Sequence, residues 1–277
     1  MDSKKLAQTI ACLALALVAF AGQAFAFHLR NQDPIVQLTL NPGDVHQGSI
    51  SLSNSGDKPM RISAYLQDWQ YKYSSQGDFE KEFAAPGTMG RSGSNWISFF
   101  PNNLEIPPRG SAKVEYTIRV PDDQPLEGGY YSVMFFEGMA PESQDGTQGG
   151  VNVKFSTRMG SLFLINIEST VRQDMEISDI RASRVDAASP LRIEATLLTK
   201  ANVLMACKSG SFHFMSPEGV VGARGDLPDI HLWPGSEPLK IQAESLGNLA
   251  GGRYNTVLTY DCNKGEIVIG ESELAVP

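Results

Sequence analysis

The sequence predicts an all-β protein: two tandem β-sandwiches following an export signal. Three observations carry that expectation. Short runs of alternating apolar and polar residues fill the chain after residue 27, each bounded by Pro, Gly, Asn or Asp. No helical periodicity of useful length appears there. A compound motif, a glycine turn followed by a Leu-x-Gly-Gly-x-Tyr strand start, occurs twice.

The chain opens with "MDSKKLAQTIACLALALVAFAGQAFAF". Lys4 and Lys5 precede an apolar run from Leu6 to Phe20, and "AFA" at 24–26 supplies small residues for cleavage before Phe27. That is the pattern of a secretory signal peptide over residues 1–26. Gly22 and Gln23 break the run before it reaches the length of a bilayer span, and no second run follows. The expected mature chain is therefore exported, without a membrane span. Its net charge of −8 argues against nucleic acid or an anionic membrane as partner. Cys12 lies in the signal, so Cys207 and Cys262 remain, and two cysteines in an exported chain read as one disulfide.

The first strands are "IVQLTL" (35–40), "GSISLSN" (48–54) and "MRISAYLQDW" (60–69). "AKVEYTIRV" (112–120) and "YYSVMFF" (130–136) follow. Before the last of these stands "LEGGYY" at 126–131, and "LAGGRY" at 249–254 repeats it, placing Tyr131 and Tyr254 in matching positions. Upstream, "PPRGSAKVEYTI" and "WPGSEPLKIQA" match as well, with Gly110 16 residues before Leu126 and Gly235 14 before Leu249. Two elements in one order at nearly one spacing predict a duplicated domain, here residues 27–167 and 168–277. In a sandwich, the glycines let the chain cross between sheets and the tyrosine bonds back to the crossing loop. That tyrosine corner makes both domains immunoglobulin-like, with Tyr131 and Tyr254 as corners.

"APESQDGTQGG" (140–150) reads as an exposed loop. Val151, Val153 and Phe155 then alternate with polar residues, and "SLFLINI" continues after Arg158, Met159 and Gly160. The stretch reads as the last strand of the first domain, kinked or bulged near Gly160 and joined to the second with almost no linker.

Signals of catalysis are missing from the sequence. None of the four histidines falls in a metal or HExxH spacing, and His213 reads as a strand residue. There is no Gly-x-Ser-x-Gly elbow and no phosphate-binding glycine loop, so the reading is non-enzymatic, with no metal and no cofactor. "RGD" at Arg224–Asp226 is short enough to arise as ordinary turn chemistry, with an adhesive loop as the alternative.

The order "LNPG", "SLSNSGDKPMRISAYLQDW", "NWISFFPNNLEIPPRGSAKVEYTIRVP", "GGYYSVMFFE" resembles the N-terminal domain of periplasmic pilus-assembly chaperones, the PapD-like family, over about residues 35–167. The resemblance implies that the last strand of domain one completes an unfinished pilin sandwich by strand addition. It implies Val151, Val153 and Phe155 as the inserted residues, within a donated strand at about 151–159, and Arg158 as one basic anchor for the subunit's terminal carboxylate. An ordinary paired strand, with those three residues in the domain's own core, is the alternative. The family's second basic anchor has no match in "IVQLTLNPG", and Arg30 falls too early. The implied partners are a pilus or fibre subunit and an outer-membrane usher, and the implied location is the periplasm. The competing function is a structural or adhesive envelope protein that uses the loops at 79–96 and Arg224–Asp226.

Overall fold

The structure is a computed structural model and describes residues 29–73, 79–139, 156–184, 186, 189–247, 249–263 and 265–276. The signal peptide and Val151, Val153 and Phe155 lie outside the described residues. No helix among the described residues is long and apolar enough to cross a membrane.

The first sandwich is built from β1 (Leu29–Asn31), β2 (Ile35–Leu40), β3 (Val45–Asn54), β4 (Met60–Tyr73) and β5 (Phe79–Ala84). β6 (Ile97–Phe100), β7 (Asn103–Ile106), β8 (Ser111–Arg119), β9 (Gly129–Met139) and β10 (Ser156–Ile167) complete it. One sheet has the order β1-β3-β8-β6, and the facing sheet β2-β10-β9-β4-β5 with β7 alongside β4. Inward-pointing residues such as Ile50, Leu52, Val114, Ile118, Met134 and Phe163 are fully buried between them.

The chain changes sheets between β1 and β2. β1 pairs antiparallel with β3, whereas β2 pairs parallel with β10. Asn31 and Asp33 hold the crossing. The Asn31 amide donates to the Gly160 carbonyl at 3.1 Å and to Ser161 Oγ at 2.8 Å, and Asp33 Oδ2 accepts from the Ser51 N–H at 2.9 Å. Two polar side chains thus replace ladder bonds that the crossing interrupts.

β10 does not bulge. Its register with β9 runs without a shift from Ser156 opposite Met139 to Asn166 opposite Gly129. Gly160 is there for space. A Cβ at that position would stand 2.9 Å from Val133 Cγ2 and 3.2 Å from the Phe135 ring, so glycine lets those side chains lie over the strand.

The second sandwich contains β11 (Met175–Ser183), β12 (Arg192–Thr199), β13 (Met205–Met215) and β14 (Val221–Asp226). β15 (Ile230–Leu232), β16 (Leu239–Glu244), β17 (Gly252–Cys262) and β18 (Glu266–Val276) follow. Its sheets have the orders β11-β12-β16 and β14-β13-β17-β18, with β15 alongside β13. Leu197, Met205, Phe214 and Leu258 fill the core. Cys207 and Cys262 are bonded and face each other across β13 and β17, so the bridge lies within one sheet. β9 and β17 occupy matching places, each starting at the second glycine of the repeated motif and lying between two antiparallel neighbours.

Candidate functional site

Among the described residues, the last strand of the first sandwich lacks a second neighbour along half its length. β2 covers β10 only from Leu162 to Ile167, while Ser156–Ser161 pair with β9 alone among the described residues. The Leu162 N–H donates to the Pro34 carbonyl at 2.9 Å, so even-numbered residues of β10 aim their main-chain groups away from β9. The Gly160 carbonyl is occupied by Asn31. The N–H and C=O of Ser156 and Arg158 point to an edge where no described strand lies. Such a row can accept an added strand.

Both faces of this sheet are apolar. Met134 and Phe136 point into the sandwich, while Tyr131, Val133 and Phe135 point outward into a second cluster with Trp69 and Trp233. Leu162 and Leu164 belong to that outer cluster. The sequence run "YYSVMFF" is thus a strand buried on both faces, which is why its alternation is weak.

Arg158 lies opposite Glu137 in the register, and its guanidinium sits over the Phe135 ring at 4.4 Å and the Phe83 ring at 5.8 Å. Nine strand positions separate it from Ile167, about 30 Å at the usual rise. It therefore stands at the end of β10 that is remote in sequence from the second sandwich, although the two rings it covers belong to the cluster that also holds Trp233. Arg30, on β1 opposite Ser53, is exposed. Where β2 and β10 approach the second sandwich, amides and acids stand beside two arginines: Arg172 pairs with Glu127 at 3.3 Å, and Arg91 donates to the Glu127 and Gly129 carbonyls at 3.2 and 3.3 Å. The Asn41 amide donates to Glu168 Oε2 at 3.0 Å, and its N–H to Asp44 Oδ2 at 2.7 Å.

The repeated tyrosines have parted in role. The Tyr254 hydroxyl donates to the Ala250 carbonyl at 3.1 Å, four residues upstream. The Tyr131 hydroxyl accepts from the Leu204 N–H at 2.6 Å, in the second sandwich. Tyr131 is thus a tie between sandwiches where a corner was expected, because its strand begins against the other domain. The preceding glycines fit the same contact. Gly128, at φ +70°, would bring a Cβ onto the Asn202 carbonyl, and the Gly129 N–H donates to that carbonyl at 2.9 Å.

A second tie was not visible in the sequence. β4 runs four residues beyond its expected end, and Trp69, Tyr71 and Tyr73 alternate along one face to meet Trp233 and His231. The Tyr73 hydroxyl donates to the His231 carbonyl and accepts from the Trp233 N–H at 3.1 Å. Burial pushes both Tyr73 and Tyr131 up to about 12, so each hydroxyl keeps its proton. The W-x-Y-x-Y alternation was the available signal, but its partner lies 158 residues away in sequence.

The adhesive alternative loses its loops. Arg224–Asp226 lies within β14, paired with Ser211–His213 of β13, and Gly225 is buried against Phe212. Residues 79–84 form β5, and the following turn is bound to Asp68 through the Thr88 and Met89 N–H groups and the Ser92 and Ser94 hydroxyls. Among the described residues, no group of three or more His, Cys, Asp or Glu could hold a metal ion.

These features define the class of protein: two immunoglobulin-like sandwiches docked through an aromatic joint, the first with a strand edge that no described strand covers. No family model matches the chain, and no curated protein does. Among solved structures, the chain is similar to a chaperone–tip adhesin complex of CFA/I fimbriae biogenesis, at 11% identity and TM-score 0.49 over 88% of this chain and 98% of that one. It is similar to the Escherichia coli chaperone DraB at 13% identity and TM-score 0.44, over 90% and 97% of the two chains. It is also similar to the chaperone–tip adhesion subunit pre-assembly complex CsuC–CsuE of Acinetobacter baumannii, at 8% identity and TM-score 0.43, over 91% and 99%.

Proposed function

We propose that this chain is an exported, non-enzymatic chaperone that holds a fibre subunit by adding the open edge of β10 to the subunit's incomplete sheet. The observation that carries this reading is the edge itself. Ser156–Ser161 are fixed by β9 on one side, while the other side presents the main-chain groups of Ser156 and Arg158. Main-chain pairing would supply affinity, and side chains on alternate positions would supply specificity. Val151, Val153 and Phe155 precede this edge in sequence and would extend the donated strand. Arg158, stacked on Phe135 and Phe83, would flank the seat as a cation held in one orientation. The signal peptide, cleaved before Phe27, would deliver the chain to the periplasm, where an outer-membrane usher would receive the loaded complex.

The direction of each main-chain group gives a specific test. The Arg158 N–H faces the open edge, so Arg158→Pro removes a donor that the sandwich itself does not use. The Thr157 N–H faces β9, so Thr157→Pro breaks the fold's own ladder. Co-purification with the subunit should be lost in R158P while its melting temperature stays near that of the parent. Retention of the subunit by a folded R158P, and by Phe155→Asp, would overturn strand addition at this edge.

A further inference from the structure

The joint between the sandwiches carries a half-buried titratable group in a place that favours its neutral form. The His231 ring, on β15, packs against the rings of Tyr71 and Phe79 from the β4–β5 hairpin, with centroids 5.2 and 5.0 Å away, and those two rings also touch each other at 5.1 Å. Its Nδ1 is buried without a hydrogen-bond partner. The same residue's carbonyl accepts from Tyr73, and two residues on Trp233 is packed against Trp69 at 5.2 Å and Tyr131 at 4.3 Å. Displacing His231 therefore pulls on both the tyrosine tie and the tryptophan contact.

We propose that His231 is a proton-sensitive latch of this joint: the neutral imidazole packs against the Tyr71–Phe79 pair, and the imidazolium loosens the docking of the two sandwiches. Protonation would place an N–H without an acceptor and a positive charge in a desolvated aromatic wall. The charges facing the ring are Lys81 of β5, whose ammonium lies 5.3 Å from the Tyr71 ring, Lys208 of β13, and Asp229. The aromatic faces and Asp229 favour the cation, while burial and the two lysines oppose it and prevail. Burial first, then Lys208 and Lys81, holds the imidazole below its ordinary value of 6.5. The sign follows. A lowered histidine stabilises the docked state fully above that ordinary value, and the contribution is lost as pH falls through the docked-state value. The latch is independent of what binds β10.

Spin labels on Lys113→Cys and Lys240→Cys, one on each sandwich, read the docking directly in the purified chain. The expected result is a narrow distance distribution at pH 8 that broadens on acidification below 6.5, with far-UV circular dichroism unchanged. His231→Gln should stay narrow across the range. A narrow wild-type distribution at pH 5, or a His231→Gln variant that broadens as the parent does, overturns the proposal. Should His231→Gln already be broad at pH 8, the pair Lys81→Gln and Lys208→Gln decides. Removing those charges should reduce the broadening at pH 5, and an unchanged response overturns the latch.

Discussion

The Asp68 carboxylate accepts from the Thr88 and Met89 N–H groups at 2.8 and 2.9 Å and from the Ser92 and Ser94 hydroxyls at 2.5 and 2.6 Å. Burial opposes its ionisation, but the bonds from Met89, Ser92, Ser94 and Gly87 outweigh that and hold it below the usual 3.8. Asp68→Asn should cost about 3 kcal/mol at neutral pH, since charge-assisted bonds are lost and amide hydrogens face existing donors. A group with a lowered value stabilises above its unfolded value and loses that contribution as pH falls through the folded one. The gap between variant and parent in chemical denaturation should therefore close below about pH 4. Gly128 gives a second prediction at this scale. An alanine there meets both a left-handed φ and the Asn202 carbonyl, so Gly128→Ala should speed hydrogen exchange at the Leu204 amide that Tyr131 protects. Tyr131→Phe should do the same, whereas Tyr254→Phe should leave Leu204 unchanged.

At the scale of elements, β10 combines three environments along one strand. Phe163, Ile165 and Ile167 enter the core, Leu162 and Leu164 meet the outer aromatic cluster, and the main-chain groups of Ser156 and Arg158 face an edge with no described neighbour. The contrast between Arg158→Pro and Thr157→Pro belongs here. The first should abolish subunit capture with little change in thermal stability, and the second should lower the melting temperature measurably, because only it removes a β9–β10 ladder bond. β2, β4, β8 and β9 were readable from alternation and turn residues, and β2 at its observed bounds. β5, β6 and β7 were not, since four to six residues with mixed polarity carry too little periodicity. Of the kink or bulge expected at Gly160, the bulge is absent, for a related reason. A lone glycine in a strand signals either a kink or a close neighbour, and only the packing of Val133 and Phe135 tells which.

For the whole molecule, the disulfide and the aromatic joint divide the work of stabilisation. The Cys207–Cys262 bridge closes 55 residues of the second sandwich, worth about 4 kcal/mol in the chain-entropy model. Replacing both cysteines by alanine should raise hydrogen exchange across β11–β18 while leaving β3, β4, β8 and β9 protected. Equal loss in both sandwiches would show instead that the joint couples their unfolding. The amino-acid sequence by itself determined the class of fold and the cysteine pair, because alternation, turn chemistry and a repeated Leu-x-Gly-Gly-x-Tyr are local facts. Only the tertiary structure decided that Tyr131 ties two sandwiches while Tyr254 bonds within its own loop. Only it decided that Arg158 stacks over Phe135 and Phe83 and that Arg224–Asp226 is strand. The physical reason is common to all three. A hydroxyl, a guanidinium or a glycine takes its role from what faces it, and here those neighbours come from distant parts of the chain.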